Sequence, residues 1–393
     1  MSKLIIAEKP SVAKSIASAL GASSRADGFY EGNGLLVSWC VGHLVSPMDA
    51  GGYDERFKKW RYDDLPILPE PFRYVLAPGK EDAFENLRTL MDRPDVDTIV
   101  NACDAGREGE LIFRLVYEMA GCRKPILRLW ISSMEDSAIR EGFSDLRPGT
   151  DYEALYQSAL CRQKADWLVG INATRLFSVL YHRTLNVGRV QTPTLAMLAE
   201  RDAKITLFHK EKYHLLRLML DGAEAVLEKL TDSAEAEQAA AACKGSAVTC
   251  TSVTKEQKKE QPPKLYDLTT LQREANRIFG YTAKQALDYA QSLYEKKLLT
   301  YPRTDSQYLS DDMEQTAGNV IEAIFSSILF EENRMFNPDI KRMLNSKKVT
   351  DHHAIIPTME IAKADLVALP ETERKILSLV ANRLLCATGE KHL

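Results

Sequence analysis

The arrangement that most restricts the fold is a strand followed at once by a polar turn and a helix, repeated along the first part of the chain. In "KLIIAEKPSVAKSIASAL" the apolar run Leu4 to Ala7 predicts a short β-strand, Lys9-Pro10 a tight turn, and Ser11 the N-cap of a helix. In "VDTIVNACDAGREGELIFRLVYEMAGC" an apolar strand from Thr98 to Cys103 leads through an acidic loop into an amphipathic helix that ends near Gly121. "ILRLWISS" reads as a third strand and "SMEDSAIREGFSDL" as a helix beginning near Ser133. Strands alternating with helices imply an α/β domain with a mainly parallel sheet, whose ligands lie beyond the carboxyl ends of the strands. Glu8 and Asp104 both fall at such ends.

A chain of 393 residues is too long for one ordinary core, so about two to four domains are expected. From Asp151 to Thr206 the pattern is helical, in two long segments separated by "HRTLNVGRVQTPT", with Gly188 breaking the first and Thr192-Pro193 opening the second. Between Tyr213 and Lys255, alternating apolar residues and one Ala-rich stretch predict a small β-containing connector. "KEQKKEQPPK" is a polar, proline-bearing linker, and helices follow at "LTTLQREANRIFG" and "TAKQALDYAQSLYEKK" and on towards the end. The fold class is therefore α/β plus mainly α, in several domains.

Composition removes some classes. None of the 7 cysteines falls in a C-x-x-C pair, which argues against a zinc ribbon, a thioredoxin motif or a secreted disulfide framework. No apolar run approaches a membrane span and the start lacks a signal-peptide core, so a soluble cytosolic protein is expected. A net charge of -4 decides little about nucleic acid, because a bipolar molecule can place a basic groove beside an acidic site. ATP use is not expected, since "APGKEDA" fails the phosphate-loop pattern.

Four stretches carry candidate chemistry. In "DAGREGE", Asp104, Glu108 and Glu110 crowd a strand-to-helix junction, and the first two could converge with Glu8 on Mg²⁺, which takes a few carboxylate oxygens and keeps room for phosphate; an acidic first helical turn, favoured by the helix dipole, is the plainer alternative. In "TYPRTDS", Tyr301 as a nucleophile needs positive charge or a proton acceptor nearby, and Arg303 offers a field and a planar donor pair for a phosphate. "NVGRVQTPT" sets Arg189 and Gln191 at a helix entry suited to a nucleic-acid backbone. "DHHAIIPT" offers His352 and His353 for a phosphate contact rather than a zinc site, because no third ligand is near in sequence.

Together these segments resemble the type IA DNA topoisomerases, most closely the bacterial topoisomerase III group. The likeness runs in the family's order through "IAEKPSVAKSIA", "DAGREGE", "ADWLVGINATR", "GRVQTPTL", "PPKLYDLTTLQREANRIFGYTAKQAL", "YEKKLLTYPRTDS" and "DHHAIIPT". The resemblance implies a TOPRIM metal and catalytic domain over 1–150, then the first part of a helical DNA-binding domain over 151–208. It further implies the first part of a β-rich gate or arch over 209–262 and a helical domain with the catalytic tyrosine over 263–393. Later family segments are absent, so the chain is expected to end before the family's C-terminal part.

By the same resemblance Tyr301 forms a 5′-phosphotyrosyl link to one DNA strand, Arg303 neutralises the scissile phosphate and Lys9 helps place it. Glu8 serves as acid and base for the 3′-oxygen, and Asp104 holds Mg²⁺ with Glu8 or Glu108 nearby. Arg189, Gln191, His352, Thr304, Asp305 and Ser306 contact DNA. Gly106 stands where many members carry a second aspartate, so one ion rather than two is expected. Implied partners are single-stranded DNA, negatively supercoiled or catenated DNA and a helicase, with no membrane and no ATP, in the bacterial cytoplasm at the nucleoid. Two other readings compete: a TOPRIM-type nuclease or primase, and a non-catalytic single-strand-binding fragment using Lys14, Arg162, Arg175, Arg183 and Arg189.

Overall fold

The computed structural model describes residues 2–390 apart from 133, 258, 330–336, 350 and 351. Its contacts divide the chain into two units, residues 1–186 with 259–393, and residues 187–258. Among the described residues no helix is long and apolar enough to cross a membrane.

The first unit is built on a sheet whose strands in chain order are β1 (Ser2–Ala7), β2 (Ser24–Ala26), β3 (Phe29–Gly32) and β4 (Leu35–Trp39), then β5 (Val45–Pro47) and β6 (Tyr74–Leu76) as a separate ribbon, then β7 (Val96–Ala102), β8 (Ile126–Arg128) and β9 (Arg147–Pro148). The spatial order is β2-β3-β4-β1-β7-β8-β9. Along β1 the side chains alternate as a pleated strand requires: Leu4 and Ile6 enter the core on one face with Ile99, Leu111 and Phe113, and Ile5 and Ala7 enter the core on the other with Val12, Val100 and Leu129. A strand buried on both faces is a continuous apolar run.

The expected mainly parallel sheet is in fact mixed. β4, β1, β7 and β8 run parallel, but β3 folds back against β4, β2 against β3, and β9 against β8, as antiparallel pairs. Those edge strands are too short to print a period on the sequence. The chain leaves β1 for β4 on one side and returns to β7 on the other, so a crevice opens at the carboxyl ends of β1 and β7.

The helix after β1 begins at Pro10, not after a Ser11 cap: Lys9 is the extended N-cap residue and makes no side-chain cap bond. Proline at the first helical position gives up an N–H that has no partner there anyway. "ILRLWISS" yields only three strand residues, and the following helix spans Asp136–Ser144; Ser133 lies outside the described residues. The long helix Glu153–Leu180 stops well before Gly188, with His182 just past its end at φ 50°.

Among the described residues, the later part of the first unit carries four long α-helices. Leu268–Phe279, Ala283–Glu295, Glu314–Phe325 and Glu371–Thr388 enclose their own apolar core, including Leu271, Leu293, Ile324, Leu377 and Leu384. Thr282 and Gln285 form a reciprocal capping box at the second of these helices. In the second unit, helix Gln191–Thr206 is followed by the antiparallel pair β10 (Arg217–Leu220) and β11 (Ala223–Val226) and by helix Ser233–Cys243, which Asp232 caps.

Candidate active site

The strand ends bring the first two carboxylates together. Ala7 of β1 pairs in register with Ala102 of β7, so Glu8 and Asp104 leave the same edge of the sheet. Glu8 is hydrogen-bonded to Asp104; burial first, and the Asp104 charge second, push the Glu8 carboxyl up to about 7, against the opposing pull of Lys9 and Arg303. The helix that follows, Arg107–Met119, can lie this close only because residue 109 is glycine: a Cβ there would sit 2.1 Å from the Asp104 carbonyl oxygen. Gly109→Ala is therefore expected to displace the Asp104 loop and lower the thermal midpoint, on the order of the 1–3 kcal/mol that overpacking costs, and calorimetry would read it.

Tyr301 reaches these carboxylates from the helical part of the same unit. After helix Ala283–Glu295, Lys297 turns the chain with φ 64°. The segment carrying Tyr301 is then pinned by Thr300 N–H donating to the Ile356 carbonyl at 3.0 Å and by Tyr301 N–H donating to the Ser132 carbonyl at 3.3 Å. The Tyr301 ring is 8% exposed, packed edge-on to Tyr294 at 5.3 Å and tilted against His352 at 4.3 Å. Its hydroxyl donates to Asp104 Oδ2 at 2.9 Å.

Arg303 lowers the cost of phenolate in the expected direction, but it does not prevail. Burial and the adjacent Asp104 carboxylate hold the Tyr301 phenol well above its ordinary range, and Arg303 only offsets part of this. The phenol is thus kept neutral with its proton aimed at an acceptor. Arg303 Nη1 meanwhile donates to Gln291 Oε1 at 2.7 Å, and Lys9 pairs with Glu295 at 3.6 Å. Gln291 and Glu295 are four apart on one helix and share a face, so one helix engages both cations expected to meet a phosphate. The His352 ring is held neutral, down to about 4, by burial and by His353; it contacts Ser132 Oγ at 3.3 Å and the Ala105 carbonyl. It offers a hydrogen bond rather than a charge. Glu8, Lys9, Asp104, Glu108, Arg162, Tyr301, Arg303 and His352 line one open cleft of about 360 Å³.

Several expected site residues are placed otherwise. Glu108 lines the cleft, but its carboxylate is engaged by Arg162 at 3.1 Å and His43 at 3.6 Å, and a hydrogen bond from His43 leads the causes that lower its pKa. Among the described residues no group of three His, Cys, Asp or Glu side chains is arranged to hold a metal. Glu110, the third carboxylate of the loop, is fully buried. Thr304 and Ser306 are buried rather than open to DNA. Thr304 Oγ1 donates to the His352 carbonyl at 2.8 Å and accepts from Ser306 N–H at 3.1 Å, while Ser306 Oγ donates to the Lys348 carbonyl at 2.9 Å. A loop with no helical or ladder bonds must satisfy its backbone with side chains. Asp305 between them and Arg303 before them are exposed. Arg189 and Gln191 belong to the second unit, where both are exposed.

The role of Thr304 is testable: Thr304→Val should leave two buried partners unsatisfied and cost about 2 kcal/mol of stability, seen in thermal melts, while single-strand affinity of the folded fraction stays unchanged. Sequence reasoning missed Gln291, Glu295, Ser132 and Tyr294. The i, i+4 spacing of Gln291 and Glu295 was the available signal; nothing local marks Ser132.

Comparison with known proteins identifies the family. A Toprim domain model matches residues 3–134 and a DNA topoisomerase model matches residues 150–393. DNA topoisomerase 3 of Bacillus subtilis (strain 168) is 43% identical over 407 residues, 98% of this chain and 54% of that protein. DNA topoisomerase 3 of Shouchella clausii is 41% identical, with 98% and 54% covered. The chain thus spans about half the length of the curated relatives it matches. Among solved structures, full-length topoisomerase I from Thermotoga maritima shares the fold with a TM-score of 0.65 at 24% identity, covering 99% of this chain and 61% of that one. With a sheet edge that pairs Glu8 and Asp104, a tyrosine bonded to the second of them, and family models across both parts of the sequence, the chain belongs to the type IA DNA topoisomerase family.

Proposed function

We propose that this chain carries the strand-cleavage centre of a type IA topoisomerase, acting on single-stranded DNA with Mg²⁺ and without ATP. The observation that carries the reading is the 2.9 Å bond from the Tyr301 hydroxyl to Asp104 inside a cleft that also presents Glu8, Lys9 and Arg303. Tyr301 Oη attacks the phosphorus and the bond to the 3′-oxygen breaks, leaving a 5′-phosphotyrosyl link and a 3′-hydroxyl. The phenol proton passes to Asp104. Glu8, whose carboxyl is pushed up by burial and by Asp104, gives its proton to the departing 3′-oxygen, and the hydrogen bond between the two carboxyls lets the proton return. The covalent link conserves the phosphodiester energy, so resealing is the same exchange reversed.

Lys9 and Arg303 exchange Glu295 and Gln291 for phosphate oxygens when a strand enters, and the neutral His352 adds a donor. Two carboxylates close enough to share a proton are hard oxygen donors suited to a divalent cation. Asp104, with Glu8 beside it, would hold Mg²⁺, which supplies positive charge for the phosphate when bound.

The same reading gives residues 1–150 the metal and cleavage role and 263–393 the tyrosine. Residues 151–208 and 209–262 begin the helical and arch domains, with Arg189 and Gln191 along the strand groove. In the cell the substrates are negatively supercoiled or catenated DNA, handled with a helicase at the cytoplasmic nucleoid. Labelled single-stranded DNA mixed with the chain and Mg²⁺, then denatured, should migrate with the protein, and a chelator added beforehand should prevent this. Equal adduct with chelator present contradicts the metal requirement; cut DNA without adduct contradicts the transesterification.

A further inference from the structure

Beneath the Asp104 loop lies a buried cation for which the reaction above has no use. Arg128, the last residue of β8, is 1% exposed. Its Nη1 donates to the carbonyls of Cys103 at 2.7 Å, Leu129 at 2.9 Å and Asn101 at 3.0 Å, and its Nη2 donates to the carbonyl of Asp104 at 2.7 Å. Its Nε forms an ion pair with Glu110 Oε2 at 3.2 Å, and that oxygen accepts a hydrogen bond from Asn101 Nδ2 at 2.8 Å. Arg114 Nε closes the set by donating to Glu110 Oε1 at 3.0 Å, and Asn101 Oδ1 accepts from Cys103 N–H at 3.1 Å. The Trp130 ring covers the guanidinium, with its centroid 5.1 Å away.

A buried ion pair is a poor way to gain stability, since well-packed apolar residues of similar volume usually do as well or better. What a guanidinium does that an apolar residue cannot is hold several acceptors in a fixed plane. Here the acceptors are the successive carbonyls through which β7 becomes the Asp104 loop, and the side chain leaving that loop receives the Tyr301 proton. We propose that Arg128 is a positioning residue for strand cleavage: it clamps the Cys103 and Asp104 carbonyls so that the Asp104 carboxylate faces Tyr301, with Glu110 as its counter-ion and Asn101 as a strut. This rests on the reading of Tyr301 as nucleophile and Asp104 as its acceptor.

The test compares the wild-type chain with Arg128→Met/Glu110→Gln, which removes both buried charges together, and with Arg128→Lys, which keeps the charge but loses the fork. Each is assayed for melting, single-strand affinity, and maximal adduct rate at saturating DNA across a pH series. The expected result is a cooperative fold with near-wild-type affinity, a maximal rate lowered on the order of 10- to 100-fold as for a displaced reacting group, and an altered pH profile of that rate. A wild-type maximal rate and pH profile in either folded variant overturns the proposal and leaves Arg128 a brace of the fold, as does failure of both variants to fold. If the wild-type chain forms no adduct, it is the Tyr301 reading that fails, a result separable from wild-type and variant forming adduct equally.

Discussion

Replacement of Tyr301 by phenylalanine is expected to abolish the trapped protein–DNA adduct, with a rate loss on the order of 10⁶, as for removal of other enzymic nucleophiles. The ring makes its contacts with Tyr294 and His352 through carbon faces that phenylalanine retains, so the fold should be kept. What disappears is one hydroxyl and its bond to Asp104. Single-strand affinity should therefore change little, because Lys9 and Arg303 remain and phosphate contacts supply most sequence-independent binding. A variant that still cuts DNA would transfer the nucleophile to water and make the site a nuclease.

The second large effect is expected from Glu8→Gln. As proton donor to the 3′-oxygen, Glu8 must be protonated, so wild-type cleavage should fall as pH rises past the point where Glu8 loses its proton in the complex with Mg²⁺ and DNA, and the variant should lose that inflection together with about 10²–10⁴ in rate. Stability moves in a linked way. The folded-state pKa of Glu8 is raised from 4.5 to about 7, so the folded chain binds more protons than the unfolded chain between those values. The contribution is complete below 4.5 and is lost as pH rises through 7. Measured with chelator and no DNA, the wild type should lose stability relative to Glu8→Gln between these two pH values, and the two should converge at lower pH. A constant difference across the range would mean that Glu8 is not held protonated.

Much of this arrangement was legible in the sequence because it depends on local grammar. The apolar run before Glu8 and the one before Asp104 mark strand ends, and strand ends in an α/β sheet are where ligands gather. What could not be read is how side chains are used once long-range packing decides. Thr304 and Ser306 look like exposed polar residues, yet their hydroxyls are consumed by the loop itself and by the His352 and Lys348 carbonyls, 48 and 42 residues away. Glu108 looks like a third ligand, yet His43 and Arg162 come from separate elements to pair with it. The net upward shift of the Tyr301 phenol could not be read for the same reason, since Arg303 is visible two residues away whereas the acceptor Asp104 is 197 residues away. The antiparallel edge strands β2 and β9 span three and two residues, too few for a period to register.

Cleavage as proposed joins one phenol covalently to DNA. Single-stranded DNA incubated with the chain and Mg²⁺, denatured, and digested with nuclease and protease should yield one modified peptide. This peptide should contain Tyr301 bearing a nucleotide through its 5′-phosphate, with a free 3′-hydroxyl on the other DNA fragment. Cut strands ending in free 5′-phosphate with no modified peptide, or a nucleotide on any other residue, would contradict the proposed cleavage.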